Sequence, residues 1–530
     1  MVVIKSSSVT FVWEFINPCS NSIFIPVKSS SGVNLSNLIF NLLQQIVSIV
    51  TGFILPPLII QNYGSSINGL ISTIKQIVMY AQTTGAGIAS ASTYVMYQPL
   101  AERNYKKLSG IFNATRKMFV KAGNLSSLIM LLVAFIYPLF VRNDVDVLTT
   151  ICLIILLGAC GVSEFYFIGK YQALFSADQK NYLVSIAQGL GNIFNIVISI
   201  LLIKFNCNII LVEFGAMTVY IVRVVVLWTY FKKNYTYIDK KEKPLMNEIS
   251  QRRDAIIHEI TALIINNSSI VLISLLIGLK NASIYNVYML VFSGLNMICN
   301  IVSNGIYASF GDVVSKKEDE VLKKAYDVFE FTYMIMISAI YTIAYILIMP
   351  FIKIYTQGMT DANYVLPILG KLFVLVGFIN NLKIPSRTMV IASGHFKQTK
   401  KYSVIEMIIN LLGQVILMYF WGIYGALLGC LLAAIYRAIN FIWYSNKYIL
   451  KISNNIIIKR VLLFLAVACI IIGFYSFGIN LMILNYLQWF TYAIIISTTV
   501  GIIFLITGAI SNRETFKETV KILKGIIIRR

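Results

Sequence analysis

Lys383 and Arg387 stand four residues apart in LFVLVGFINNLKIPSRTMVIASG (372–394), a stretch otherwise apolar enough to cross a bilayer. That spacing puts both cations on one helical face, and Pro385 between them removes a backbone donor and loosens the helix. Lys75, Lys371, Arg223 and Arg437 also fall within or at the edge of apolar segments. An unpaired cation in hydrocarbon costs about 3 kcal/mol or more, so each must pair, snorkel or face water. Arg387, close to a segment end, has snorkelling as its plain alternative, and Arg223 and Arg437, which recur at matching places, have a structural one. As a set, the cations suit binding of an anion, and phosphate is the usual partner of Lys and Arg together.

Polar stripes accompany the charges. Asn37, Asn41, Gln44 and Ser48 share one face of the first apolar segment; Ser293, Asn296, Asn300 and Asn304 share one in the eighth; Ser72, Gln76 and Gln82 add to the second. Two readings stay open: a wet cavity that accepts hydroxyl-rich cargo, or hydrogen bonds between helices, worth about 0.6–2 kcal/mol each. Acids are fewer. Glu164 and Glu406 within segments, and Glu259 and Glu330 near segment ends, are candidate ion-pair partners, with ion coupling as the second reading for Glu164 and Glu406. No metal-ligand or nucleophile–base spacing is present: the seven cysteines sit mostly singly, and the histidines, His258 and His395, lie at segment ends. Neither a cofactor, a metal nor a catalytic residue is expected.

The elements that must position these groups follow from composition. A chain of 530 residues, 58% hydrophobic and 12% charged, is an all-α polytopic membrane protein. Apolar segments of about 20 residues or more can be read at fourteen places, the first at 35–61 and the last at 482–510. The net charge of +22 would in a soluble domain suggest nucleic acid. Its placement excludes that partner, because Lys and Arg cluster after every even-numbered segment while the other connections hold few. By the positive-inside rule both termini are cytoplasmic and the chain is multi-pass. A membrane enzyme would need a sizeable loop carrying acids, His or a metal site; outer connections of about five to twelve residues, with both histidines at cytoplasmic segment ends, argue against one.

The chain also repeats itself. INGLISTIKQIVMYAQTTGAGIAS (67–90) has a counterpart in IYNVYMLVFSGLNMICNIVSNGIYAS (284–309), and Tyr182 lies over Tyr402 in a second pair of matching stretches. The expected organisation is an extension without regular structure at 1–34 and a six-helix bundle at 35–233. A basic cytoplasmic linker at 234–254, a second six-helix bundle at 255–447, two additional helices at 448–512 and a basic tail at 513–530 complete it. Two halves of six spans share an orientation, and such duplicated bundles carry the substrate path between them.

FILPPLIIQNYGSSINGLISTIKQ, YVMYQPLAERNY, GKYQALFSADQKNY, IASGHFKQTKKYSVIEMIINLL and FWGIYGALLGCLLAAIYR resemble the Wzx-type oligosaccharide flippases of the multidrug/oligosaccharidyl-lipid/polysaccharide (MOP) exporter superfamily, over about 35–450. The two further C-terminal spans are similar to the lipid II flippase branch. Lys75 departs from the pattern, which implies a small polar residue there. The resemblance implies a bacterial cytoplasmic-membrane flippase that moves a polyprenyl diphosphate-linked oligosaccharide outward by alternating access, in contact with membrane lipids and with polysaccharide-assembly enzymes as candidate partners. Lys75, Lys383 and Arg387 would engage the diphosphate and the Asn, Gln and Ser stripes the sugar. A multidrug cation antiporter of the same superfamily is the competing reading, and predicts an acidic cavity; a scaffold for assembly enzymes is a third.

Overall fold

The computed structural model describes residues 31–528 apart from 86, 142–143, 250–252, 316–318 and 479–484; the side chains of 31–35, 38, 253–259, 304–315, 319, 396 and 522–528 lie outside the description. The extension at 1–30, Cys19, and the side chains of Asn304, His258 and Glu259 therefore lie outside the described residues. Everything described is helix or connection, with no strand. The first compact unit runs through α1 (Ser31–Tyr63), α2 (Ser65–Gln82), α3 (Ile88–Ala101), α4 (Tyr105–Ile136), α5 (Val147–Ser163), α6 (Gly169–Ala177), α7 (Asn181–Lys204), α8 (Ile209–Ala216), α9 (Thr218–Asn234) and α10 (Arg253–Leu276), and ends at Val287. The second follows from Tyr288 through most of α11 (Leu279–Ser315), α12 (Asp319–Tyr355), α13 (Pro367–Leu382), α14 (Ile384–Ala392), α15 (Phe396–Trp421), α16 (Ile423–Tyr444), α17 (Asn455–Gly478), α18 (Tyr486–Ser511) and α19 (Arg513–Ile528).

Eleven helices among the described residues are long and apolar enough to cross a membrane. The stretch Lys397–Leu450 holds two of the fourteen expected spans, folded back at Gly422 with φ 54°. The expected second span is α2 plus α3, interrupted where Gly87 turns left-handed (φ 78°), and the seventh is α10, apolar over Ile260–Leu276. Outward faces are apolar: Phe135, Ile470 and Leu487 are each more than two-thirds exposed, as lipid-facing side chains are.

In the first unit α10 lies against α2, and the chain that follows it is pinned there. Asn68 Nδ2 donates to Ser283 Oγ at 2.7 Å, Tyr137 donates to Ser274 at 3.0 Å, and Asp144 accepts from the Leu279 backbone at 3.2 Å. A Cβ on Gly69 would sit 1.9 Å from the Leu279 carbonyl oxygen, so only glycine allows this approach. The sequence repeat assigns 255–287 to the second bundle; these contacts group it with the first unit.

In the second unit α15 and α16 form a hairpin whose backbones nearly touch. A Cβ on Gly425 would lie 2.1 Å from the Leu417 carbonyl oxygen and one on Gly429 2.3 Å from the Gln414 nitrogen. Gly425 and Gly429 are a small-xxx-small pair, and in lipid, where apolar side chains gain nothing by leaving the solvent, such backbone proximity supplies the packing energy. The C-terminal helices dock through charge. Arg460 of α17 bonds to Asp327 at 2.7 Å and to Glu330, both on α12, and Thr515 of α19 donates to the other Asp327 oxygen at 2.9 Å. Glu330 is 4% exposed, and Arg460 is the ion-pair partner that such a buried acid requires.

Candidate functional site

In the second unit the candidate residues meet where a span is broken. α13 ends at Leu382 and α14 begins at Ile384; Lys383 caps the break, and Pro385 offers no N–H to the turn before it. Lys383 Nζ donates to Glu406 Oε1 of α15 at 3.0 Å. The other carboxylate oxygen of Glu406 faces Arg437 Nε of α16 at 3.1 Å, and Arg437 also donates to Ser403 at 2.7 Å and lies over the Phe441 ring at 3.8 Å. Arg387, one turn past Lys383, is exposed and has no ion pair among the described residues. Two cations, Lys383 and Arg437, thus share one carboxylate, and Arg387 adds a third positive charge to the neighbourhood.

The first unit has a matching break. A π turn at Glu164–Ile168 interrupts the expected fourth span between α5 and α6, and its first residue faces Arg223 of α9. Arg223 donates through both terminal nitrogens to the two oxygens of Glu164, at 2.7 and 3.0 Å, and is 8% exposed. This fork is internally neutral. Lys75 of α2 is exposed and without an ion pair among the described residues, as is Lys371 of α13, which lies over the Tyr345 ring at 5.7 Å.

The polar stripe of the first span meets α7 and the turn before it. Asn37 donates to the Gln179 carbonyl at 2.6 Å and accepts from the Tyr182 backbone at 2.7 Å; Asn41 accepts from Ser185; Ser48 accepts from Gln44 at 2.9 Å and from Asn192 at 2.8 Å. These bonds join α1 to α7 or to the turn before it, or lie within α1 for Gln44. Asn296 of α11 joins a buried hub, accepting from Asn381 at 2.7 Å and Tyr341 at 2.9 Å. Asn300 is exposed. Gln76 is buried, and its Oε1 has no hydrogen-bond partner among the described residues.

Sequence reasoning passed over Asp327 and Arg460, which their spacing does not connect, and Asn381, whose role depends on reaching three other helical residues. It also passed over Glu213 of α8, buried with no ion pair among the described residues. No three His, Cys, Asp or Glu side chains among the described residues are grouped to hold a metal.

A scan of protein-family models and a search of curated proteins give no match. Among solved structures the chain is similar to the lipid II flippase MurJ in an inward closed conformation, at 15% identity over 90% of this chain and 99% of that one, with TM-score 0.61. It is similar to an inward-facing multidrug resistance MATE family transporter of the MOP superfamily, at 14% identity over 78% and 97%, with TM-score 0.60. A third similarity is to a MOP superfamily transporter from Pyrococcus furiosus with reverse polarity of its binding pocket, at 15% identity over 80% and 100%, with TM-score 0.50. The chain is a multi-pass membrane protein with the fold of MOP superfamily transporters.

Proposed function

We propose that the chain is a flippase that moves a lipid diphosphate-linked oligosaccharide outward across the bacterial cytoplasmic membrane by alternating access, with the N- and C-termini in the cytoplasm. The observation that carries this reading is Arg387: an exposed cation in a membrane-spanning segment, beside a carboxylate already shared by Lys383 and Arg437. A site with this charge excess attracts an anion and repels a cationic drug. Lys75 and Arg387, neither of them ion-paired among the described residues, engage the diphosphate; Lys371, Asn300 and Gln76 contact phosphate or sugar. Lys383, Arg223, Arg437, Glu164 and Glu406 hold the broken spans in place. Asn37, Asn41, Gln44, Ser48 and Asn296 serve the cargo only when their helix bonds open during the cycle. A membrane potential negative inside favours outward anion movement by about 2.3 kcal/mol per charge per 100 mV. The Pyrococcus furiosus protein, whose reverse pocket polarity suggests a different function, supports variation of function on this fold.

The test is inner-leaflet accumulation of lipid-linked oligosaccharide in cells whose only copy carries Lys75→Ala and Arg387→Ala at normal abundance. Accumulation supports the reading; wild-type export removes these two cations from it. The similarity to a multidrug MATE transporter favours a second reading, extrusion of a cationic drug. Dye efflux from vesicles that survives the double substitution, with no inner-leaflet accumulation in cells, selects it.

A further inference from the structure

The connection after α9 is a built surface. Asn113 of α4 donates to the carbonyl oxygens of Asp239 at 3.0 Å and Glu242 at 2.9 Å, bracketing Lys240, while the Asp239 N–H donates to Ser109 at 2.9 Å and the Leu245 N–H to the Gly110 carbonyl at 3.0 Å. Four strands of bonding thus hold 239–245 on the first turns of α4. Arg116 lies one helical turn beyond Asn113, on the same side. Lys170 of α6 is within electrostatic reach of both Arg116 and Lys240.

Lys170 is half-buried, lies over the Tyr171 ring at 5.1 Å, and spends one donor on the Tyr166 carbonyl at 2.9 Å. No ion pair joins Lys170, Arg116 or Lys240 to a carboxylate among the described residues. Of the acids of the connection, Asp239 accepts from the Lys241 backbone at 2.8 Å and Glu248 faces Lys107 at 3.5 Å. Like charges gathered by backbone bonds, without a counter-charge, mark a place for an anion.

Depth says which anion. Counting about 20 residues from the far ends of the spans Tyr105–Val141 and Val147–Ala177, the hydrocarbon ends near 122 on one side and 167 on the other. Arg116 and Lys170 then stand just outside it, at the level of phospholipid headgroups. We infer that Arg116, Lys170 and Lys240 form a binding site for the phosphoryl headgroup of an anionic lipid, apart from the charges at the broken spans. Basic pockets between helices at this level are the usual headgroup receivers. The site would hold the connection against the membrane surface while the helices beneath it move.

The test uses the purified, delipidated full chain in uncharged detergent. Its thermal midpoint is followed on titration with phosphatidylglycerol, phosphatidylcholine and inorganic pyrophosphate, for wild type, Lys240→Glu and Lys240→Arg. Phosphatidylglycerol should raise the wild-type midpoint and phosphatidylcholine should not; Lys240→Glu should lose at least half of that shift and Lys240→Arg keep it. Equal shifts from both lipids, or a full shift in Lys240→Glu, overturn the site. Pyrophosphate reproducing the whole shift, and losing it in Lys240→Glu, overturns the lipid assignment in favour of a soluble phosphate. Binding is read without transport, so the outcome stands apart from the identity of the cargo.

Discussion

Glu406 holds Lys383 at 3.0 Å with one oxygen and Arg437 at 3.1 Å with the other, so a single carboxylate ties α15 to both the break in the tenth span and the helix that follows. Its removal strands the buried Arg437 and the partly buried Lys383 at once. Glu406→Gln should therefore destabilise by about 3–5 kcal/mol, the usual cost of breaking a buried pair, whereas Lys383→Met leaves the Glu406–Arg437 pair and should cost less. Membrane abundance and thermal midpoint of the purified variants check the order; equal losses would show that Lys383 contributes as much as the shared acid.

Arg223 and Glu164 form a fork with two bonds in the first unit. Glu164→Gln and Arg223→Met should each destabilise, and the double variant should be milder than their sum by about 0.5–3 kcal/mol, the range for directly coupled sites. A thermal double-mutant cycle measures it, and strict additivity would dissolve the pair.

Gly425 and Gly429 meet backbone, and Gly422 meets nothing. Gly429→Ala and Gly425→Ala should separate α15 from α16 and abolish accumulation of folded protein. Gly422→Ala, in open space, should cost only the strain of its positive φ with extended ψ, about 1–3 kcal/mol. Size-exclusion profiles of the three variants distinguish steric from conformational loss.

How much of this could be read from residues alone varies with range. Helical spans were legible because 20 apolar residues have one cheap conformation in lipid, and the interruption at Pro385 announced itself by residue type, whereas the left-handed turn at Gly87 lay unread inside one apolar segment. The face of each stripe was legible from its period, but not its partner: Asn41 and Ser48 share a side of α1 whether that side meets water or α7. Pairing of Lys383, Arg223 and Arg437 was an open choice for the same reason, since an intramembrane cation states a need without naming what meets it. Arg460 went unnoticed because it opens an appended helix with no counterpart in the repeat. Its two acids lie far upstream, on the expected ninth span.

Asn41→Ala follows from that distinction. If the bond to Ser185 is a helix fastener, the substitution should lower the thermal midpoint by the equivalent of about 0.6 kcal/mol and leave export per folded molecule unchanged. Export that falls with no change in midpoint would return Asn41 to the cargo path.

The lock between Arg460 and Glu330 has a consequence for synthesis. The two residues are 130 positions apart, and Glu330 leaves the ribosome first. At roughly 5–20 residues per second, on the order of ten seconds pass before Arg460 exists. For that interval a segment with both Asp327 and Glu330 has to be tolerated by the insertion machinery, either with its carboxylates protonated or still in the translocation channel. The C-terminal segment that begins at Arg460 is thus the part that lets an earlier helix settle, and a ribosome that stalls before codon 460 leaves an acidic helix unsecured.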